Sequence, residues 1–310
     1  MTRLAAFSVD LDEVHEYWGV HGLGVPPADV ERLVYRTALP RILEFAERLA
    51  LPLTLFAIGR DLDQEGGQAL APFVERGDEV GNHSAGHRYD LSRLSREERR
   101  REITQASTRI EALTGELPRG FRAPGYVLSQ PLVEDLEALG FAYDSSVFAC
   151  PAYYLAKLAV MGGQGLIGRR SRSIVSDPQV LFAPSEPYRA GKRYFLRGNG
   201  LREVPITLTR RLRLPYFGTS LGALAAPPFA SPKIDWFTRG VSQLSSVNLE
   251  FHGIDFLDTA DGLAQLARVQ PGLSVPWRLK AEGYARAVTG LRSAGFEWVK
   301  LEELAFQRLP

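Results

Sequence analysis

Gly81-Asn82-His83-Ser84-Ala85-Gly86-His87 is the stretch on which the reading of this 310-residue chain turns. Two imidazoles four residues apart fall on one side of a single helical turn, where both can reach one ion at about 2.0 to 2.1 Å. His83 and His87 are two of only 5 histidines, so a third ligand has to come from elsewhere. Phe7-Ser8-Val9-Asp10-Leu11-Asp12 offers one, as a short apolar strand ending in two acids. Residues i and i+2 of a strand point the same way, so Asp10 and Asp12 can converge on one spot, one binding a cation while the other takes a proton. Each pattern alone is common, as a surface-helix spacing or as a turn or cap. Together they outline a divalent-metal site.

Working outward, strand and helix alternate, the pattern of a parallel sheet or barrel covered by helices. After the first strand comes a long loop, residues 13–29, holding His15, Tyr17, Trp18 and His21; a loop of that length at a strand end is more often functional than idle. Residues 30–50 read as a helix whose apolar face is Ile42, Phe45, Ala46 and Leu49. Residues 53–59 read as a buried strand, 68–75 as a short helix, and Glu79-Val80-Gly81 as the strand that delivers the histidine pair. Ser95 and Glu98 form a capping box, opening a helix that ends at Gly115. Then follow Phe121-Arg122-Ala123-Pro124-Gly125-Tyr126, a helix over 130–139, and a strand ending in Tyr143-Asp144-Ser145-Ser146. From 150 to 200 the rhythm fails, which reads as an insertion. It resumes with strands at 203–207 and 247–252, the latter ending in Glu250-Phe251-His252, a helix over 279–294 and a last strand at 297–301. Each candidate site lies just beyond a strand's carboxyl end, where barrels and open α/β sheets keep their chemistry.

Bulk composition excludes more than it selects. With 45% hydrophobic and 24% charged residues the chain is an ordinary globular protein, long enough for a sizeable core. Lys plus Arg number 37 against 36 for Asp plus Glu, so no global field draws it to nucleic acid. The single cysteine, Cys150, fits a reducing compartment, and a strand starting near Leu4 leaves no room for an export signal. These features point to the cytoplasm.

Five segments, in order, resemble the five motifs of the polysaccharide deacetylase family, carbohydrate esterase family four: Ser8-Val9-Asp10-Leu11-Asp12, His83-Ser84-Ala85-Gly86-His87, Phe121 to Tyr126, Tyr143 to Ser146, and Glu250-Phe251-His252. The second and third are the specific ones. The first departs from the commonest family form, since Leu11 separates acids that are usually adjacent, as in a cytosolic subgroup similar to peptidoglycan deacetylases and cyclic-amide hydrolases. The resemblance implies an α/β fold, a distorted (β/α)7-type barrel, as one domain over 1–310 with an insertion at 150–200. It also implies a metal-dependent hydrolase that removes an N-acetyl or N-formyl group from an amino sugar. Asp12, His83 and His87 would hold a divalent metal, zinc first, with iron, cobalt or nickel as alternatives because the ligand set tolerates them all.

By the same resemblance Asp10 is the general base, Arg122 holds it ionised and in place, and His252 is the general acid that protonates the leaving amine. Asp144 joins them as a candidate that orients His252 or Arg122 or else ties strand ends together; Asp255 is another possible partner for His252. Trp18, Pro124, Gly125, Tyr126 and Ser145 are the expected substrate contacts. Two other readings stand beside this one: a hydrolase of a cyclic or small non-sugar amide, and a non-catalytic metal- or carbohydrate-binding protein. The expected partner is a sugar or glycolipid. Apolar residues 153–167 beside Arg169, Arg170 and Arg172, with a second cluster at Arg210, Arg211, Arg213, Tyr216 and Phe217, suggest peripheral contact with an anionic membrane. The competing expectation is that 153–167 packs on the barrel as a lid or dimer contact.

Overall fold

Nine strands form one sheet in the computed structural model, which describes residues 2–166, 174 and 176–307. They are β1 (Arg3–Asp10), β2 (Leu53–Ala57), β3 (Glu79–Asn82), β4 (Gly120–Phe121), β5 (Tyr143–Asp144), β6 (Tyr188–Ala190), β7 (Arg197–Glu203), β8 (Ser246–His252) and β9 (Phe296–Val299). The order is β6-β7-β5-β4-β3-β2-β1-β8, and every pairing is parallel except β6 with β7. β1 is the hub. One edge pairs with β8 along its length, from Leu4↔Ser246 to Asp10↔His252. The other edge is shared, with Arg3 to Ala6 beside β9 and Phe7 to Asp10 beside β2.

The gap between β7 and β8 is bridged by the chain that leaves β7. Ile206 N donates to Val147 O at 3.0 Å and Thr207 N to Asn248 O at 3.3 Å, so the sheet curls into a distorted barrel of seven parallel strands, as expected. Buried parallel strands read as apolar runs because helices cover their outer faces, and Leu53, Thr54, Leu55, Phe56 and Ala57 are all buried. The largest apolar cluster surrounds β1 and β8. Phe7 stacks on Phe251 with ring centroids 4.3 Å apart, and truncating Phe7 to alanine is expected to cost about 3–5 kcal/mol.

Ten helices are described: α1 (Val14–Val20), α2 (Leu39–Leu49), α3 (Gln64–Glu75), α4 (Arg96–Thr114), α5 (Gln130–Ala138), α6 (Pro151–Leu166), α7 (Gly218–Leu224), α8 (Ala230–Arg239), α9 (Trp277–Ser293) and α10 (Leu301–Phe306). The capping box of Ser95 with Glu98 opens α4, and Gly115 at φ 82° closes it. Several boundaries differ from the sequence reading. The 13–29 loop contains α1, pinned by the buried Glu13 carboxylate, which accepts from Val14 N, Val34 N and Tyr35 N. Residues 30–50 are not one helix, because a wider turn at Val34–Ala38 precedes α2.

The strand placed at 203–207 is β7, earlier in the chain, since 206 and 207 bond to Val147 just beyond β5 and to Asn248 of β8 and belong to no ladder. The 150–200 insertion is therefore partly sheet: α6 followed by the β6-β7 hairpin. No helix among the described residues is long and apolar enough to cross a membrane. Arg169, Arg170, Arg172 and Ile167 of the expected membrane patch lie outside the described residues. Of its second half, Tyr216 and Phe217 are buried and the Arg213 guanidinium turns inward to the carbonyls of Ala149 and Ala183. Aromatic rings gain more in the core than on the surface, so Arg210 and Arg211 are left exposed without them.

Candidate metal centre and acid–base site

β1 and β3 end side by side with β2 between them, which brings residues some seventy positions apart to one place. Asp12 Oδ1 lies 3.1 Å from His83 Nε2 and 3.2 Å from His87 Nε2. All three residues are buried, and none of these three atoms has an aligned hydrogen-bond partner among the described residues. Donor atoms that crowd together without bonding one another are aimed at a shared point, and a carboxylate with two imidazoles is a set that divalent ions accept. His83 Nδ1 is committed to the carbonyl of Arg122 at 2.7 Å, which fixes the ring with Nε2 facing Asp12. Burial pushes the Asp12 carboxyl up, but His87 and His83 outweigh it and hold it well below the usual range. Burial likewise pushes His87 down, yet Asp12 and Glu16 raise it to about 10. The cluster is built to hold positive charge.

The histidines do not sit on a helical turn. They lie in an irregular segment after β3, with Ser84 at φ 63° and His87 at φ 50°. Ser84 N donates to Asn82 Oδ1 and His87 N to Ser84 Oγ, which replaces the helical bonds. Two left-handed residues fold the loop back, and four-residue spacing again brings the rings together, 4.8 Å apart.

Asp10 is 1% exposed and is gripped by Arg122, whose Nη1 donates to Asp10 Oδ1 at 2.5 Å. The guanidinium is wholly enclosed. Nε donates to Ser145 O at 2.9 Å, and Nη2 to Ser8 Oγ at 3.0 Å and Ser145 Oγ at 2.9 Å. Asn248 ties the two hydroxyls together. The Phe56 ring lies 4.2 Å beneath the guanidinium. Gly81 makes room for that ring, since a Cβ there would meet it at 2.6 Å. Asp10 Oδ2 is left 3.9 Å from His83 Nε2, facing the Asp12, His83 and His87 cluster.

His252 ends β8 directly beside Asp10. Its Nδ1 lies 3.1 Å from Glu250 Oε1 and its Nε2 3.1 Å from the Tyr126 hydroxyl. Burial pushes the imidazole down, but Glu250 and the neighbouring aspartates raise it to about 9, and it is cationic at neutral pH. Burial raises Glu250 to about 7. Asp10, Glu250 and His252 offer ligand atoms within 4.8 Å of one another, but Asp10 is already committed to Arg122, so the group is better suited to passing protons.

These residues open onto a cleft of about 260 Å³ lined by Asp10, Asp12, Tyr17, Tyr89, Gly125, Tyr126, Tyr153, Lys157, Phe217 and His252, among others. Gly125 takes φ 60°, and a Cβ there would strike the Tyr89 ring at 2.7 Å. Three expected substrate contacts, and the catalytic candidate Asp144, are elsewhere. Trp18 is 1% exposed and belongs to the core; its neighbour Tyr17 faces the cleft, because the α1 turn sends adjacent residues to different sides. Ser145 spends its hydrogen bonds on Arg122, Asn248 and Val204. Pro124 is buried in the turn before Gly125 and is absent from the described lining. Asp144 accepts from Ser146 Oγ at 2.6 Å and lies against Glu203, touching neither His252 nor substrate space. Burial raises both carboxyls of that pair, while Ser146 Oγ holds Ala123 N. Asp144 thus ties strand tips together. Asp255 accepts from the backbone N of His252, not from its ring.

Two residues escaped the sequence reading. Glu250 stands two before His252 on one strand, so the period-two rule places both on one face. Glu16 Oε2 lies 3.5 Å from His87 Nδ1; burial raises this carboxyl, but His15, His87 and Arg60 hold it far below the usual range. It was hidden by reading α1 as loop. His21 lines the cleft and meets Gln270 at 3.0 Å, whereas His15 contacts Arg60 and Glu16.

The sequence profile of the polysaccharide deacetylase family matches residues 31–143, a span that includes His83, His87 and Arg122. A peptidoglycan deacetylase from Helicobacter pylori is 30% identical over 146 residues, 46% of this chain and 49% of that protein. The chain thus spans about half or less of the length of the curated relatives it matches. Among solved structures, a Mycobacterium smegmatis protein assigned to the polysaccharide deacetylases superposes with a TM-score of 0.57 at 16% identity, covering 98% of this chain and 90% of that one. The PuuE allantoinase gives 0.58 at 16%, covering 98% and 89%. At such identity the likeness is of fold.

Proposed function

We propose that this chain, which carries the polysaccharide deacetylase profile over residues 31–143, is a metal-dependent hydrolase of the N-acyl group of an amino sugar. The observation that carries the reading is the convergence of Asp12, His83 and His87, with Asp10 held by Arg122 on one side and His252 beside it. A divalent ion there would supply a Lewis acid that acidifies water and polarises the acyl carbonyl. Asp10, gripped by the guanidinium through one oxygen, accepts the water's proton through the oxygen that Arg122 leaves free. His252 carries a proton into the reaction and gives it from Nε2 to the departing nitrogen, which otherwise would be a poorer leaving group than water. Glu250 keeps that imidazole charged, and the Tyr126 hydroxyl fixes the direction of Nε2.

The test is elemental analysis of the purified protein alongside mass-spectrometric turnover of N-acetylated and N-formylated amino sugars, free and lipid-linked. Asp10→Asn is expected to keep metal while turnover falls by about 10²- to 10⁴-fold; an active Asp10→Asn protein would remove the base assignment. Hydrolysis of a cyclic or small non-sugar amide is the second reading, favoured by the modest cleft of about 260 Å³ walled by Tyr17, Tyr89, Tyr126 and Tyr153. Cyclic ureides belong in the same panel. A non-catalytic role would need a wild type that binds metal tightly and turns over none of these compounds.

A further inference from the structure

We propose that Lys157 forms an anion-recognition subsite in the cleft wall, so that the amide substrate carries a phosphate or carboxylate beside its acylated amine. This rests on the hydrolase reading above and narrows its substrate class. Among the described lining residues Lys157 is the single lysine or arginine. It projects from α6, the helix that interrupts the barrel rhythm, and its Nζ donates to the carbonyl of Gly125 at 3.1 Å. The Tyr153 ring lies 5.7 Å from the ammonium.

No carboxylate among the described residues pairs with Lys157. Burial, with no compensating negative charge, pushes the ammonium down to about 8, which still leaves it mostly protonated at neutral pH. A half-buried lysine with a single neutral partner has two N–H donors to spare, and desolvating it without a counter-charge is costly. Asp10 and Asp12, which line the same cleft, face Arg122 and the two histidines instead. Because Lys157 lines the same cleft as the candidate base, a substrate anion there would meet its spare donors and complete the site. The ammonium is a point charge, suited to either phosphate or carboxylate.

The test is calorimetric titration of the metal-loaded Asp10→Asn protein with N-acetylglucosamine, its 1-phosphate and N-acetylmuramic acid, repeated with Lys157→Met and Lys157→Arg added. At least one anionic sugar is expected to bind about tenfold more tightly than the neutral one, the preference falling to about one in Lys157→Met and returning in Lys157→Arg. The 1-phosphate and muramic arms tell phosphate from carboxylate. A preference that survives Lys157→Met would belong to the metal and overturn the proposal, as would equal affinities or no binding of either anion. Turnover absent on every amide would sink the hydrolase reading without touching these affinities; turnover with no anionic preference would sink only the subsite.

Discussion

Two clusters of charged side chains lie at the same strand tips, and they are finished differently. Around Arg122 all three guanidinium nitrogens donate, to Asp10, Ser8 and Ser145, and the hydroxyls that accept are themselves tied by Asn248. Around Asp12 the ring nitrogens of His83 and His87 approach at 3.1 and 3.2 Å without a hydrogen bond of proper alignment. Buried polar groups left unpaired are costly, and proteins keep them where a ligand completes the set. The closed cluster thus reads as machinery that holds a base still, and the open one as a socket for an ion.

That contrast breaks most severely if the socket is emptied. His83→Ala should abolish metal content and lower turnover by about 10⁴-fold or more, read by elemental analysis and product formation; metal retained at full stoichiometry would mean that the socket is elsewhere. Breaking the closed cluster should instead be felt in the fold. Arg122→Met leaves Asp10 buried without its partner, and urea denaturation should show a loss of about 3–5 kcal/mol.

Smaller changes sharpen the picture. Glu16→Gln should weaken metal affinity by about 10- to 100-fold, measured by competition with a chelating dye, because His87 loses the carboxylate behind its Nδ1. Glu250→Gln concerns the acid. His252 is raised to about 9 in the folded protein, against an ordinary imidazole near 6.5. Its protonation contributes stability fully present below about pH 6.5 and lost as pH rises through about 9. Wild-type activity should therefore decline above about pH 9, and Glu250→Gln should move that alkaline limb down toward the ordinary value, lowering the rate at pH 8 by about ten- to thirtyfold. An unmoved limb would show that Glu250 does not govern the acid.

Much of the site was legible because strand and turn periodicities are local. Asp10 and Asp12 share a face two residues apart, His83 and His87 meet at a spacing of four, and each lies where a parallel sheet exposes its strand ends. The loop holding the histidines was read as a helical turn with the correct outcome for the rings, since two left-handed residues also bring i and i+4 together. Trp18 was misplaced because one residue's difference on the α1 turn decides between cleft and core, and Ser145 because its partners lie far off in the chain; only packing makes those choices.

The amino-acid sequence by itself determined the kinds of groups at the centre and the strands that carry them, because hydrophobic alternation and short spacings are written within a few residues. The tertiary structure alone decided who partners whom. Ser8 meets Asn248 across 240 positions and Arg122 meets Asp10 across 112, and Lys157 reaches the cleft only because α6 folds over Gly125. Such pairings follow from closure of the barrel, and closure is set by the packing of the whole core, which no local pattern encodes.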